Sequence, residues 1–353
     1  IEALARRASR ELETFVYSSE DGVLRDEVAT AGARVTVVPR RVPKLDPFWV
    51  LALASSFRRD RIDVVHTHLF GDSLHGYLAA RMAGTLPVVM TLHIGPDGCT
   101  PLQLRGYRWL FSKCDAAVAC SQALREAWSD WLDDPKYGLR AIPNGIDPPG
   151  DSPVSASELA EMRRELGLAT TDFVVAAAGR LAKQKGYDDL ILALPLMDAS
   201  AARRTRLVLF GDGELREALG RQVSEAQLDE QVIFAGFRPQ LPRWLQIADV
   251  VAFSSLYEGL PIVLLEAMAL SKPIVTTDTP GLAHALRADE EALVVPCRDP
   301  KRLAAALDRV ASDPDLRSRL GTAAQRRFSS EFTAQKMTHR YEELYRKVVP
   351  SPS

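Results

Sequence analysis

The sequence predicts an α/β protein built from two doubly wound, Rossmann-like domains facing each other across a cleft. Short apolar runs alternate with amphipathic stretches along the chain, the pattern of βαβ units whose parallel sheet is covered on both faces. The 353 residues exceed what one hydrophobic core usually serves, and 46% hydrophobic residues are ample for two. Between two such αβ series, Pro143-Asn144-Gly145-Ile146-Asp147-Pro148-Pro149-Gly150-Asp151-Ser152-Pro153 strings turn and breaker residues together, which marks the boundary.

In the first domain, 1–147, strands are expected at 14–17, 34–38, 64–66, 88–92, 116–119 and 139–142, with helices over 49–58, 73–83 and 121–132 among them. The chain opens on Ile1, Leu4, Ala5, Ala8 and Leu12, a helical spacing, so a segment upstream of Ile1 is expected. After a linker at 148–156, the second domain, 157–332, carries strands at 173–178, 206–210, 231–235, 250–253, 273–276 and 292–295. Helices are expected at 187–194 and 300–320, and a last one, at 333–348, lies in the C-terminal segment 333–353.

Composition excludes several classes. The formal charge is −2 and neither half is a polyelectrolyte, so nucleic acid is not an expected partner. Cys99, Cys114, Cys120 and Cys297 form no Cys-x-x-Cys pair, which points to reduced thiols and a cytoplasmic setting rather than a disulfide framework or a zinc site. No apolar run approaches the roughly 20 residues of a membrane span.

The most informative stretch is Glu258-Gly259-Leu260-Pro261-Ile262-Val263-Leu264-Leu265-Glu266. Pro261 suits the first position of a helix, where its missing N–H costs nothing, and Ile262 and Val263 then offer backbone N–H groups at the positive helix end, where an anionic phosphate fits. Glu266 lies roughly 7.5 Å further along the axis, while Glu258 stays on the preceding loop. The helix is apolar almost all round and therefore buried, and an acid inside it needs a polar partner, which ribose hydroxyls would supply. The alternative is that Glu258 caps the helix and Glu266 pairs with a surface cation.

Gly179-Arg180-Leu181-Ala182-Lys183-Gln184-Lys185-Gly186 occupies the ligand-binding end of the strand at 173–178. Arg180 and Lys185 would present cations to a leaving diphosphate, and Gly179 and Gly186 let the backbone approach closely; a solvated basic loop is the alternative. Gly211-Asp212-Gly213 is a tight turn without the third glycine of a dinucleotide fingerprint. Phe237 and Arg238 could meet a base, or Phe237 could pack in a core. His93 ends the strand at 88–92 and is a candidate hydrogen-bonding or acid/base group toward a sugar, whereas His66 and His68 read as structural. The basic-apolar stretches 40–45 and 104–113 fit either an anionic membrane surface or ordinary half-buried segments. Asp-x-Asp spacings such as Asp313-Pro314-Asp315 fall in surface connections, so no metal is expected; cations and helix dipole must neutralise the diphosphate.

Together these residues resemble glycosyltransferase family 4, retaining enzymes of the GT-B fold. The likeness rests on Thr91-Leu92-His93, the segment from Asp115 to Ser121, Pro143-Asn144-Gly145-Ile146-Asp147, the loop at 179–186, Gly211-Asp212-Gly213 and the motif from Glu258 to Glu266 with Ala267-Met268. The resemblance implies that Arg180 and Lys185 hold the donor diphosphate, Glu258 contacts the transferred sugar, Glu266 binds ribose and His93 lies near the reacting carbon. Gly179, Gly211, Gly213, Phe237, Arg238, Gly259, Leu260, Ile262 and Val263 complete the expected donor site. It implies metal-independent transfer with retention from a nucleotide-sugar to a glycan or lipid-linked acceptor, with no cofactor, and a final helix that returns to the first domain. Members normally open with a strand and a glycine-rich loop ahead of the helix found here at Ile1. Leu260-Pro261, where many members carry an aromatic residue and glycine, leans toward a UDP-sugar and cell-surface polysaccharide or glycolipid synthesis, at the inner face of a membrane. The competing expectations are a sugar-nucleotide epimerase or phosphorylase on the same scaffold, and a non-catalytic nucleotide-sugar-binding subunit.

Overall fold

The computed structural model describes residues 1–9, 11–22, 25–42, 45–133, 138–149 and 154–349. Residues 150–153 of the expected linker, and Pro43 and Lys44 of the first basic stretch, lie outside the described residues. The chain forms two units, Ile1–Gly145 together with Ala334–Ser353, and Ile146–Thr333.

The first unit runs α1 (Glu2–Arg7), β1 (Phe15–Ser18), α2 (Arg25–Thr30), β2 (Arg34–Val37), α3 (Pro47–Arg59), β3 (Val65–His68), α4 (Phe70–Gly84), β4 (Val88–Leu92), α5 (Pro101–Phe111), β5 (Ala116–Ala119), α6 (Gln122–Leu132) and β6 (Arg140–Ala141). Its strands are all parallel, hydrogen-bonded as a pair β1-β2 and as a four-stranded sheet β3-β4-β5-β6. Helix starts follow local chemistry: Asp46 accepts from the N–H groups of Phe48 and Trp49 ahead of Pro47, and Thr100 and Gln103 form a capping box ahead of Pro101. The opening helix is shorter than the spacing to Leu12 suggests, because its backbone turns extended at Ala8.

The second unit runs α7 (Ala156–Glu165), β7 (Phe173–Ala178), α8 (Tyr187–Ala193), α9 (Ala199–Arg204), β8 (Thr205–Phe210), α10 (Arg216–Glu225), β9 (Val232–Gly236), α11 (Leu241–Leu245), β10 (Val250–Phe253), α12 (Ile262–Ala269), β11 (Ile274–Thr277), α13 (Pro280–Ala283), β12 (Leu293–Val295), α14 (Pro300–Ser312) and α15 (Pro314–Glu331). Six parallel strands lie in the order β12-β11-β10-β7-β8-β9. Alternate residues of the fully buried β7 feed two cores: Phe173, Val175 and Ala177 face one, and Val174, Ala176 and Ala178 the other. The single helix expected at 300–320 is two, since Asp313 caps a new helix through the N–H of Leu316 and Pro314 cannot continue the old one.

The last helix, α16 (Ala334–Val348), packs on the first unit, where Met337, Tyr341 and Leu344 share a core with Val89, Val118 and Ile142. The Gly145 N–H also points to Sδ of Met337 at 3.2 Å.

Candidate functional site

In the second unit the strand order reverses between β7 and β10: β8 and β9 extend the sheet on one side of β7, and β10, β11 and β12 on the other. The loops leaving the C-terminal ends of two strands that part in this way diverge and leave a crevice, the usual ligand position in open parallel sheets. The loop after β7 carries residues 179–186, and the loop after β10 carries Ser254 to Pro261.

These two loops are bonded to each other. The Leu256 N–H donates to the Gln184 carbonyl at 2.8 Å, and Ser254 Oγ donates to the Lys185 carbonyl at 2.8 Å. Lys185 Nζ donates to Glu258 Oε1 at 2.7 Å, with side chains 14% and 7% exposed. Ser255 Oγ donates to the same oxygen at 2.9 Å, and Gln184 Nε2 to Oε2 at 3.3 Å. Glu258 is therefore a buried carboxylate met by a cation and two neutral donors, rather than a helix cap.

Glycine backbone forms the surroundings. A Cβ on Gly186, at φ +58°, would lie 2.2 Å from the Ser254 carbonyl oxygen, and one on Gly211, at φ +125°, 2.1 Å from that of Gly179. Gly213 is pressed against the Leu181 backbone in the same way, at 2.7 Å. A Cβ on Gly179 would strike Lys185 Cε at 2.7 Å, so the smallest residue keeps the lysine's position open.

Pro261 is the N-cap of α12, in extended conformation, and the helix begins at Ile262; the expectation of Pro261 at the first helical position is corrected by one residue. Ile262 and Val263 still occupy the first turn, whose N–H groups have no carbonyl ahead of them in the helix. Ile262 is exposed, Val263 half-buried, and Leu260 drops its side chain into the core. Gly281 backs onto this corner: a Cβ there would lie 2.1 Å from the Gly259 carbonyl oxygen and 2.2 Å from that of Glu258. One turn into α12, Glu266 Oε2 is buried with no hydrogen-bond partner among the described residues, and burial pushes the carboxyl up to about 7. No surface cation among the described residues pairs with that oxygen.

The remaining candidates stand further out. Arg180 is exposed, and its Nε donates to Glu214 Oε2 at 3.1 Å. Phe237 is 73% exposed, which removes the core-packing alternative. Arg238 is committed locally, with an ion pair to Glu165 at 2.8 Å, a bond to the Ala235 carbonyl and its guanidinium 4.5 Å from the Trp244 ring centre; of the expected residues it is the least free to meet a ligand.

In the first unit, His93 follows β4 on a loop anchored by Trp128 Nε1 donating to the Ile94 carbonyl at 2.8 Å. Its Nε2 lies 2.9 Å from Nδ1 of His68. His66 and His68 both belong to β3, two residues apart on one face. His66 bonds through Nδ1 to the Tyr345 hydroxyl and through Nε2 to Thr91 Oγ1, both at 2.7 Å. Burial lowers all three imidazoles below their ordinary value, His66 to about 3. Asp115 fixes the start of β4 through the Val88 N–H, and Ser121 caps α6. In the basic stretches Arg40 pairs with Asp72 and covers Trp49, and Arg108 covers Trp131.

Gln184, Ser255 and Gly281 belong to the cluster and were not expected from sequence. Glutamine and serine carry little signal alone, and their roles arise only when the β7 and β10 loops meet. No helix among the described residues is long and apolar enough to cross a membrane.

Two family profiles match the chain: Glycosyltransferase Family 4 over residues 1–149 and Glycosyl transferases group 1 over residues 159–327. The chain is 27% identical over 289 residues to the Escherichia coli UDP-Gal:alpha-D-GlcNAc-diphosphoundecaprenol alpha-1,3-galactosyltransferase, covering 76% of this chain and 71% of that protein. It is 29% identical over 308 residues to the D-inositol 3-phosphate glycosyltransferase of Jonesia denitrificans, covering 79% and 71%. Among solved structures, Anabaena HepE in complex with UDP and glucose superposes with a TM-score of 0.87 at 22% identity, covering 98% of this chain and 94% of that one. Sucrose-phosphate synthase from Thermosynechococcus elongatus gives 0.77 at 20% identity, covering 98% and 96%.

Proposed function

Because the chain belongs to glycosyltransferase family 4 and has the GT-B fold, we propose that it moves a sugar from a UDP-sugar to a hydroxyl of a glycan or lipid-linked acceptor, with retention and without a metal ion. The observation that carries this is the meeting of Lys185 and Glu258 at the point where the strand order reverses.

The donor diphosphate lies over the 179–186 loop at the first turn of α12. Lys185, Arg180 and the N–H groups of Ile262 and Val263 take up the negative charge that develops as the anomeric carbon parts from the phosphate oxygen. Protein cations and a helix dipole carry that charge, which is why the transfer is assigned no metal. Glu258 receives a sugar hydroxyl, and the unpartnered oxygen of Glu266 receives the ribose hydroxyls. Exposed Phe237 meets the base, beside the backbone of Gly211 and Gly213. The acceptor oxygen attacks from the face the leaving phosphate vacates, and that phosphate takes the acceptor's proton, so no protein nucleophile forms an intermediate. His93 hydrogen-bonds the transferred sugar.

UDP appears in the name of the Escherichia coli relative and in the Anabaena complex, which supports a UDP-sugar. The diphosphoundecaprenol in the relative's name supports a lipid-linked acceptor; we assign it to the inner face of a membrane and the contact to the exposed Phe48, Leu51 and Leu102, with Arg105 and with Arg41, whose guanidinium lies 5.4 Å from the Phe48 ring centre.

Thermal shift and donor hydrolysis across UDP-, GDP-, ADP- and CMP-sugars test the proposal. Stabilisation and slow hydrolysis by one UDP-sugar are expected; no response to any nucleotide-sugar overturns it.

A further inference from the structure

Next to the Lys185–Glu258 pair the structure holds a buried polar atom that the proposed chemistry leaves unused. Tyr187 opens α8 and is 4% exposed, packed in the core with Leu181 and Leu190. Its hydroxyl oxygen is sealed from solvent and has no hydrogen-bond partner among the described residues. Such an atom forfeits its hydration without recompense, so it needs a partner that the surrounding side chains do not supply in this arrangement. Burial, with the Glu258 charge nearby, holds the phenol above its ordinary value, and the group is a neutral hydroxyl throughout the working range.

The position of this oxygen is tied to the lysine. A Cβ on Gly179 would stand 3.1 Å from Lys185 Nζ and 3.2 Å from the Tyr187 hydroxyl oxygen, so the two polar atoms flank one point above the glycine. A larger residue at 179 would fill the gap between them. An ammonium has three N–H donors and no acceptor. In the structure Lys185 directs one of them to Glu258. A sealed hydroxyl cannot reach a ligand itself, but it can accept from a group in the wall that does.

We propose that Tyr187 is a positioning residue of the donor site: its hydroxyl accepts a second N–H of Lys185, and the third is thereby aimed at the distal phosphate of a bound nucleoside diphosphate. Glu258, Tyr187 and the phosphate then form a three-point seat for the ammonium, and the orphaned oxygen is satisfied in the loaded protein. The inference rests on the nucleotide-sugar reading and adds to it a residue that reads the second phosphate.

The test is Tyr187→Phe, which removes one oxygen and keeps the packing, with calorimetric titration of UDP and of UMP and the melting temperature of the free protein. Expected are about tenfold weaker UDP binding, unchanged UMP binding and a free-protein Tm equal to or above that of wild type, because the deleted hydroxyl was unpaired. Equal losses for UDP and UMP, or no loss for either, overturn the inference. So does a lowered free-protein Tm, which would mean the hydroxyl already has an internal partner. The two levels separate cleanly: a wild type that binds neither nucleotide defeats the donor reading itself, whereas a wild type that binds UDP and is matched by Tyr187→Phe defeats only the role of the tyrosine.

Discussion

His68 Nδ1 and His93 Nε2 stand 2.9 Å apart, and burial keeps both imidazoles in the neutral range, so a single proton lies between them. When it belongs to His93, the outer Nδ1 of His93 is an acceptor; when it belongs to His68, that nitrogen is a donor. On the proposed reading, in which His93 meets the transferred sugar, His68 governs what His93 offers to it. Replacing His68 by Leu should reduce kcat by about tenfold, the worth of one hydrogen bond of about 1.4 kcal/mol, and alter the His93 ring 15N shifts. Unaltered kcat and shifts would separate His68 from the chemistry.

Lys185→Ala strands the buried Glu258 carboxylate. Removing one partner of a buried pair costs on the order of 3 kcal/mol, softened here because Ser255 and Gln184 still donate to Glu258. Chemical denaturation should show the double variant Lys185→Ala/Glu258→Ala to be more stable than Lys185→Ala, with a clear coupling term. Donor turnover should fall at least tenfold in each single variant, and near wild-type rates in both would sink the site assignment.

Glu266 predicts a pH dependence of defined sign. Its carboxyl is raised from 4.5 to about 7 by burial, so it holds its proton more tightly folded than unfolded. The resulting stability is complete below about pH 4.5 and is lost as pH rises through 7, by on the order of 3 kcal/mol. Ribose hydroxyls donating to the carboxylate favour its ionised form, so UDP should bind several-fold more tightly at about pH 8 than at about pH 6. Glu266→Gln should flatten both profiles in scanning calorimetry and titration.

Gly281→Ala inserts a methyl against the carbonyls of Glu258 and Gly259. Overpacking of this kind costs roughly 1–3 kcal/mol. The displaced Glu258 backbone should raise the donor KM and lower kcat together, while circular dichroism stays native. Wild-type kinetics for this variant would show that the corner tolerates movement.

The parallel sheet of the second unit was legible because β7 and β10 are unbroken apolar runs, and their observed limits, 173–178 and 250–253, match those expected. Lys185 and Glu258 were each visible as chemistry at a strand end, but their bond was not. It spans 73 residues and exists because β10 returns to the free side of β7, a choice that no local periodicity encodes. Gln184, Ser255 and Gly281 were hidden for the same reason. The break at Asp313-Pro314 was available from cap chemistry, yet the apolar spacing on both sides disguised it. The chain of hydrogen bonds from Tyr345 through His66 to Thr91 was not legible either, because it needs the last helix to be laid on β3 and β4.

The passage of the chain out of the first unit at Gly145 and back at Ala334 makes the second unit an insertion within the first. Its 188 consecutive residues, 146 through 333, are contiguous and can close their own core while the ribosome is still at work. The first unit must wait, because Met337, Tyr341 and Leu344, which cover Val89, Val118 and Ile142, emerge only after the whole second unit has been made. The earlier-made part therefore carries an apolar sheet face while the second unit is being made, and a chain that stops before Ala334 should leave that part, rather than the second unit, in the hands of chaperones.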